Sequence, residues 1–347
     1  IQQSNNSFIE MFNMFYHEQD PESSKGLNQK YNDQYLICNP PMKRISQETF
    51  HEIYGLHFER DVHPYYKRNG IVKALDTIKF SVTSHRGCYG ECNFCAIAIH
   101  QGRYVQSRSE KSIIKEIESF KKFNNFKGIV SDLGGPTANM YLSTCNIMET
   151  KGPCKLKRCV YPEKCSNLKL HYDGQVELLE KVKNLPHVKK VFISSGIRYD
   201  LIDLSDNSSN NYIRAIIQEH ISGQMKIAPE HVNIKVLSLM GKPGNQKLIS
   251  FLDKFEEVCK AESKELYMTY YFIAAYPGTT IKEMEEARDF VLTSLKVKPE
   301  QVQIFTPTPS TYASLMYYTQ IDPFSGEKLF IEKSDNGKQA QKNILTN

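Results

Sequence analysis

Short apolar runs alternate with amphipathic helical patterns along the chain from Thr77 onward. Strands are predicted where apolar and β-branched residues run together, at residues 78–82, 127–133, 190–195, 224–228, 266–275 and 301–305. Helices are predicted where apolar residues recur every three or four positions, at residues 113–120, 176–182, 213–217, 232–240, 248–259 and 281–287. This alternation predicts an α/β fold with a parallel, barrel-like sheet that is covered on both faces.

The two ends of the chain lack this alternation of strand and helix patterns. Residues 1–75 contain only short apolar runs, broken at Asn39-Pro40-Pro41 and at His63-Pro64, so we predict an irregular N-terminal arm. Because the chain opens with Ile1, we interpret this arm as the tail of a truncated upstream domain. The core is predicted to span residues 76–325, with an insertion at residues 142–170 and a C-terminal extension at residues 326–347.

Composition favours a folded enzyme-sized chain and excludes several other classes. The 347 residues are 40% hydrophobic and 24% charged, which is typical of a globular protein and not of a disordered one. A net charge of +5 is too small to require a nucleic acid or an anionic membrane as partner. The sequence contains no apolar run long enough for a membrane span, so we expect no membrane partner. Seven of the nine cysteines fall within residues 88–165, which predicts metal ligation in a reducing, cytoplasmic compartment.

Three cysteines follow the first predicted strand directly. Cys88, Cys92 and Cys95 have the spacing C-x3-C-x2-C inside a loop that contains glycine. Closely spaced thiolates repel one another unless a soft metal centre neutralises them, and an iron–sulfur cluster is the usual occupant. Three ligands on a four-iron cluster leave one iron open for another molecule. The alternatives are a zinc site completed by His85 or His100, and three buried thiols without metal.

This loop, in this barrel, resembles that of the radical S-adenosylmethionine (radical SAM) superfamily. In that superfamily the open iron of a 4Fe-4S cluster binds S-adenosylmethionine (SAM) and reductively cleaves it to a 5'-deoxyadenosyl radical. The chain is more narrowly similar to the YgiQ family, and the fold this resemblance implies is a partial (β/α)6, TIM-like radical SAM barrel. The strings that carry the likeness occur in the same order, at residues 107–109 (SRS), 131–141 (SDLGGPTANMY), 195–200 (SGIRYD), 226–231 (KIAPEH) and 316–319 (MYYT).

The resemblance also implies which residues meet the cofactor. Phe94, before the third cysteine, is expected beside the adenine. Gly134 and Gly135 are expected at the methionyl group. The acidic residue that usually follows the two glycines is replaced by Pro136, so Asp132 becomes a candidate for the ammonium group, with a turn or helix-cap role as its alternative.

Polar residues after strands three and four are expected to face the same mouth of the barrel. Ser195 and Arg198 follow the third strand, and we expect both to bind cofactor. Lys226, Glu230 and His231 follow the fourth strand. Arg198, Lys226 and Glu230 are the candidates for catalytic residues, because a guanidinium can bind a carboxylate or ribose and a Lys/Glu pair can anchor groups or transfer protons.

A second set of cysteines lies in the predicted insertion. Cys145, Cys154, Cys159 and Cys165 have the spacing C-x8-C-x4-C-x5-C in a segment with little helix or strand pattern. Such a segment is typical of one that a metal organises, either a second 4Fe-4S cluster or zinc, with reduced structural cysteines as the alternative. Basic residues in and near the insertion favour a phosphate ligand weakly, and they are Lys155, Lys157, Arg158, Lys189 and Lys190.

The function predicted from these features is reductive cleavage of SAM followed by hydrogen abstraction from an unidentified substrate. Its partners would be SAM and a one-electron donor similar to flavodoxin or ferredoxin. One alternative is an RNA modification like that of tRNA methylthiotransferases, suggested by residues 236–240 and 305–309, although only 28 residues follow Thr319. The other is a zinc-bearing nucleic-acid-binding module without enzymatic activity.

Overall fold

The computed structural model describes residues 4–68, 70–155 and 157–347. Its helices are α1 Asn5–His17, α2 Gln47–Tyr54, α3 Pro64–Lys67, α4 Lys73–Ile78, α5 Ile97–His100, α6 Glu110–Ser119, α7 Asn146–Lys151, α8 Tyr172–Lys183, α9 Asn207–Ala215, α10 Ile234–Met240, α11 Gln246–Ala261, α12 Ile281–Phe290, α13 Tyr312–Thr319 and α14 Asp335–Thr346. Its strands are β1 Leu27–Tyr31, β2 Gln34–Cys38, β3 Ser81–Thr83, β4 His85–Arg86, β5 Gln106–Ser107, β6 Ile129–Val130, β7 Asp132–Gly134, β8 Thr144–Cys145, β9 Leu168–Lys169, β10 Lys190–Val191, β11 Gln224–Glu230, β12 Tyr267–Ala274 and β13 Gln301–Ile304.

The central sheet follows the chain order that the sequence predicted. β3 pairs in parallel with β7, β6 with β10, β11 with β12, and β12 with β13. A parallel bridge between Ile197 and Ile227 joins the β10 segment to β11. Within the described residues β13 does not pair with β3, so the strands form an open parallel arc and not a closed barrel. The carboxyl ends of all these strands lie at one edge, where α/β folds place their sites.

The main core lies between this sheet and its surrounding helices. Ile113 and Ile117 of α6, Leu179 of α8 and Ile213 of α9 are all fully buried against it, as the helical periodicity predicted. Ser109 begins α6 by accepting a hydrogen bond from the backbone N–H of Ser112. Within the part of the chain that the structure describes, no helix is both long and apolar enough to cross a membrane.

Several element boundaries differ from those predicted. Residues 73–78 form α4, so the first strand begins at Ser81. The second predicted strand is interrupted at Ser131, and the third keeps a regular ladder only at Lys190–Val191. Strands this short depend on tertiary contacts, because each contributes few ladder hydrogen bonds of its own.

Both ends of the chain contain regular elements that the sequence pattern did not predict. The N-terminal segment forms α1, the β1–β2 hairpin and α2 to α4, and the C-terminal segment forms α14. Phe12 of α1 packs edge-on against Tyr312 of α13, with ring centroids 5.2 Å apart. Gln341 of α14 accepts a hydrogen bond from the backbone of Ala275 and donates one to the carbonyl of Thr279. These helices are held by partners distant in sequence, which a local pattern does not reveal.

Candidate active site at the carboxyl edge of the sheet

The loop after β3 and β4 brings the first three cysteines together. Cys88, Cys92 and Cys95 are all half-buried, and α5 begins directly after the loop. Cys88 Sγ accepts a hydrogen bond from the backbone N–H of Gly90 at 3.3 Å and lies 3.5 Å from Thr137 Oγ1. The backbone N–H of Cys95 donates to the carbonyl of Cys92 at 3.0 Å. The loop therefore folds back on itself and presents its thiols from one turn.

The electrostatics of the loop show that the three thiols share one environment. Burial raises the pKa of Cys95 to about 12, and the charges of Cys92, Cys88 and Glu230 add to this effect. Burial also raises the pKa of Cys88. Closely placed thiols fit a metal centre whose positive charge compensates three thiolates, as an iron–sulfur cluster does. In residues 4–68, 70–155 and 157–347, no three His, Cys, Asp or Glu side chains are grouped tightly enough to bind a single metal ion.

Arg198 lies directly over the cysteine loop. Its Nη1 donates to Cys92 Sγ at 3.6 Å, and a Cβ atom at Gly90 would come within 2.5 Å of the same nitrogen. Its other guanidinium nitrogens bind both carboxylate oxygens of Asp200, and Asn139 binds its backbone N–H and carbonyl. The fork that we expected to bind cofactor is thus occupied by Asp200, while the remaining nitrogen faces the cysteines.

Glu230 forms the second charged group at this edge. β11 extends two residues further than predicted, so Glu230 is its last residue; Lys226 lies within the strand and not after it. The backbone of Glu230 has φ 68, a left-handed conformation that is rare for a non-glycine residue and is often retained where function requires it. Burial raises the pKa of its carboxyl, and Lys242 Nζ lies 3.9 Å from Glu230 Oε1. The Lys242 ammonium also donates to the carbonyl of Ala228.

Gly134, the last residue of β7, and Gly135, which follows it, lie close to protein side chains. A Cβ atom at Gly134 would come within 2.5 Å of Ser195 Oγ, and one at Gly135 within 2.5 Å of the His85 ring. Asp132 accepts hydrogen bonds from the backbone N–H groups of Ser194 and Ser195 and from the Ser195 hydroxyl. Asp132 and Ser195 therefore tie β7 to the segment after β10, and the glycines allow that close approach.

Phe94 and His231 occupy different surroundings from the charged groups. Phe94 is half-buried and packs edge-on against Tyr276, with ring centroids 6.4 Å apart. His231 is fully buried just beyond β11, and its Nδ1 accepts a hydrogen bond from the backbone N–H of Asn233 at 3.0 Å. The structure therefore places Phe94 against the apolar cluster that contains Tyr276, and His231 in the turn between β11 and α10.

The second cysteine set packs against the first loop. Cys145, Cys159 and Cys165 belong to one apolar cluster with Tyr89 and Cys88. Burial raises the pKa of Cys159 to about 12, and the charges of Cys145 and Cys165 contribute in the same direction. The insertion is more regular than expected, with β8, α7 and β9 inside it.

Two arginines fasten the insertion to the cysteine loop. Arg103 Nε pairs with Glu91 Oε2 at 3.2 Å, and its Nη2 donates to the carbonyl of Cys154 at 3.1 Å. Arg158 Nη2 donates to Asn93 Oδ1 at 2.7 Å. Glu91 and Asn93 flank Cys92, so the two cysteine-bearing segments form one continuous structure.

Comparison with known families identifies the architecture. The family model described as "Radical SAM superfamily" matches residues 82–291, and the model described as "Radical SAM N-terminal" matches residues 1–81. The chain belongs to the radical SAM superfamily. Members of this superfamily use a 4Fe-4S cluster and SAM, which are the two main cofactors predicted for this chain, and the predicted α/β fold class is confirmed.

Related sequences place this radical SAM protein in a narrower group. It is 54% identical over 341 residues to a UPF0313 protein of Fusobacterium nucleatum, covering 98% of this chain and 60% of the relative. It is 44% identical over 315 residues to a UPF0313 protein of Thermotoga neapolitana, covering 91% of this chain and 55% of the relative. UPF0313 proteins are the YgiQ family, which confirms the predicted family. The chain thus spans a little over half the length of these relatives.

Two solved structures to which the chain is similar at low identity are those of OxsB and TsrM. The cobalamin-dependent SAM radical enzyme OxsB with aqua-cobalamin and SAM bound matches 92% of this chain and 39% of its own, with 13% identity and a TM-score of 0.46. The radical SAM methyltransferase TsrM of Kitasatospora setae matches 68% of this chain and 38% of its own, with 12% identity and a TM-score of 0.44.

Sequence reasoning missed two charged residues of the site. Asp200, which holds the Arg198 guanidinium, stood in the string that resembled the family, and its spacing of two residues from Arg198 was a usable signal. Lys242, which faces Glu230, follows α10 and is separated from Glu230 by an entire helix. No local pattern marks Lys242, because only the return of the chain after α10 brings it to the edge of the sheet.

Proposed function

We propose that this chain carries the catalytic domain of a radical SAM enzyme that acts on an unidentified substrate. Cys88, Cys92 and Cys95 would hold the 4Fe-4S cluster, and SAM would bind its open iron. When bound, the cluster and SAM supply a 5'-deoxyadenosyl radical, which abstracts hydrogen from the substrate. The observation that carries the proposal is the convergence of the three thiols with Arg198 and Glu230 at the carboxyl ends of neighbouring strands.

The chain's own residues would divide the remaining tasks. Gly134 and Gly135 present backbone near β7 to the methionyl end of SAM, and Phe94 with Tyr276 offers an apolar wall for the adenine. Glu230 and Lys242 form a buried pair that would orient polar groups of SAM or substrate, and burial raises the pKa of the Glu230 carboxyl while Lys242 opposes that shift. Arg198, fixed by Asp200, keeps a positive charge against Cys92.

We further propose that Cys145, Cys154, Cys159 and Cys165 hold a second 4Fe-4S cluster. Three of these thiols share one apolar cluster with Tyr89 and Cys88, and a bound metal would favour their ionised form. Zinc is the alternative occupant. A one-electron donor similar to flavodoxin or ferredoxin would supply the electrons.

The N-terminal segment would belong to a larger N-terminal domain. The β1–β2 hairpin is exposed at every residue of β2, and Tyr31, Leu36 and Ile37 are each 63–65% exposed. Apolar side chains so exposed on an isolated two-stranded sheet are typical of a surface that another part of a protein covers. The greater length of the relatives supports this proposal.

The test of the proposed activity is reconstitution with iron and sulfide under anaerobic conditions. We expect a broad brown absorption that dithionite bleaches, and release of 5'-deoxyadenosine from SAM. The Cys92→Ser variant should lose 5'-deoxyadenosine release to the level of metal-free protein. Cys38→Ser, at an exposed cysteine of β2, is the matched control and should behave like the unaltered protein. Colourless protein, or coloured protein that never releases 5'-deoxyadenosine, would contradict the proposal.

A further inference from the structure

The first helix of the chain reaches the cysteine loop through one tyrosine. Tyr16, in the last turn of α1, donates from its hydroxyl to Glu91 Oε1 at 3.0 Å. Burial and the charge of Glu91 raise the pKa of Tyr16, so the hydroxyl stays protonated and acts as the donor. The rings of Phe12 and Tyr312 pack against the Tyr16 ring, with centroids 6.1 and 4.5 Å away. The ring of Tyr16 is therefore held between α1 and α13, and its hydroxyl binds the cysteine loop.

Glu91 is a buried carboxylate in the middle of that loop. It lies between Cys88 and Cys92, its side chain is only 5% exposed, and its backbone has φ 48, a left-handed conformation that non-glycine residues rarely adopt. A buried carboxylate is stable only where polar or charged donors satisfy it. The Tyr16 hydroxyl meets one of its oxygens, and the Arg103 guanidinium lies 3.2 Å from the other. These two partners therefore hold the loop in a backbone conformation that Glu91 by itself disfavours.

The residue on the other side of Cys92 is held by different elements. The backbone N–H of Asn93 donates to the carbonyl of Met240 at 2.8 Å, and the carbonyl of Asn93 accepts from the backbone N–H of Ala313 at 2.9 Å. These contacts come from the end of α10 and from α13. Cys92 thus lies between two anchored residues, and α1 contributes to the anchor at Glu91.

We propose that Tyr16 is a positioning residue of the radical SAM site, which acts through Glu91 to hold the turn between Cys88 and Cys92 in place for the cluster. The inference rests on the proposed function, because a cluster at these cysteines is what requires a fixed loop. Tyr16 acts by its hydrogen bond and transfers no proton. The first helix of the chain would thereby take part in a site whose ligands lie more than 70 residues further on.

The competing explanation is that the Tyr16 hydroxyl only fastens α1 to the rest of the protein. Tyr312 separates the two explanations, because its hydroxyl also binds α1, at Asn13 Oδ1 and 3.1 Å. Tyr16→Phe and Tyr312→Phe each remove one hydroxyl from the same group of packed rings and keep the ring. Tyr312→Phe removes a contact of α1 and leaves the hydrogen bond from Tyr16 to Glu91 in place, so it is the matched control.

The experiment measures two rates. One is the backbone amide hydrogen exchange of residues 88–95 in the iron-free full chain, and the other is the removal of iron from the reconstituted protein by a chelator. Tyr16→Phe should raise both rates about tenfold, because a hydrogen bond to a carboxylate contributes that much to the opening equilibrium of a loop. Tyr312→Phe should keep both within about twofold of the unaltered protein.

A double-mutant cycle tests whether Tyr16 acts through Glu91. In Glu91→Ala protein the partner of the hydroxyl is gone, so adding Tyr16→Phe should change either rate by less than about twofold. A further increase of about tenfold in that background would show that Tyr16 does not act through Glu91.

Two other results would overturn the positioning role. One is an unchanged pair of rates in Tyr16→Phe, and the other is an equal increase in Tyr16→Phe and Tyr312→Phe, which would reduce the contact to docking of α1. The proposed function fails separately, if the unaltered protein binds no iron after reconstitution. Hydrogen exchange in the iron-free chain still tests Tyr16 in that case.

Discussion

Arg198 keeps its positive charge although its side chain is only 12% exposed. Burial by itself would lower the pKa of Arg198, but the carboxylate of Asp200 and the thiols of Cys92 and Cys88 raise it well above its usual value. Asp200 is correspondingly held ionised, because the charge of Arg198 outweighs the effect of burial on its pKa. A fixed cation against a cluster ligand stabilises the reduced, more negative state of that cluster.

Removal of this charge should make the cluster harder to reduce. In Arg198→Gln we expect a more negative midpoint potential, by about 59 mV for each 1.4 kcal/mol of lost interaction in a one-electron step. Redox titration followed by electron paramagnetic resonance measures it. Arg198→Lys keeps the charge and should shift the potential less. Asp200→Asn should also shift the potential, because the Arg198 guanidinium is no longer held in place. A lower iron content with an unchanged potential would instead assign Arg198 a structural role.

At the scale of single elements, the end of β11 carries a residue of the candidate site, Glu230, next to a buried histidine, His231, that affects the stability of the fold. Glu230 is the last residue of β11, and His231 is buried in the turn between β11 and α10. Burial lowers the pKa of His231 to about 4, and the charge of Glu283 on α12 opposes this only in part. His231 is therefore neutral in the folded protein at pH values where the unfolded chain already binds a proton.

This difference predicts acid sensitivity. The pKa of His231 falls on folding from 6.5 to about 4. Its contribution to the free energy of unfolding is therefore complete above pH 6.5 and is lost as the pH falls towards 4. The loss amounts to about 3 kcal/mol in the free energy of unfolding. Denaturant titrations between pH 7.5 and 4 should show a smaller loss in His231→Asn than in the unaltered protein. The His57→Asn variant, altered at an exposed histidine, should lose as much stability as the unaltered protein. The same dependence of the free energy of unfolding on pH in all three proteins would refute the role of His231.

At the scale of the whole molecule, the question is how many metal centres one chain carries. The two cysteine segments are joined through Arg103, Arg158 and the apolar cluster around Tyr89, so a second centre would lie beside the first.

Iron quantification tests this arrangement. Cys88→Ala/Cys92→Ala/Cys95→Ala protein should retain about four irons per chain after reconstitution, because the insertion set still holds its cluster. Zinc analysis of the same sample is the necessary control. If the variant contains no iron, the proposal of a second cluster is contradicted. One equivalent of zinc in that variant would show that the insertion is a structural zinc site.

Comparison of sequence and structure shows where local patterns suffice. β12 and β13 lie within a residue or two of their predicted bounds, and α11 contains the predicted apolar face, including the buried Cys259. The third strand was overestimated, since residues after Val191 leave the regular ladder to contact Asp132. α1, α13 and α14 were not predicted, because their packing depends on aromatic and glutamine contacts with residues distant in sequence.

The sequence by itself determined the strand order, the three-cysteine loop and the family of this protein, because hydrophobic period and motif spacing are properties of neighbouring residues. Only the tertiary structure decided which groups meet those cysteines. It placed the Arg198 side chain against Cys92, Lys242 opposite Glu230, and the insertion against Glu91 and Asn93. These contacts depend on where the chain returns after each helix. Charges interact through space whatever their separation along the chain, so the sequence does not reveal which of them meet.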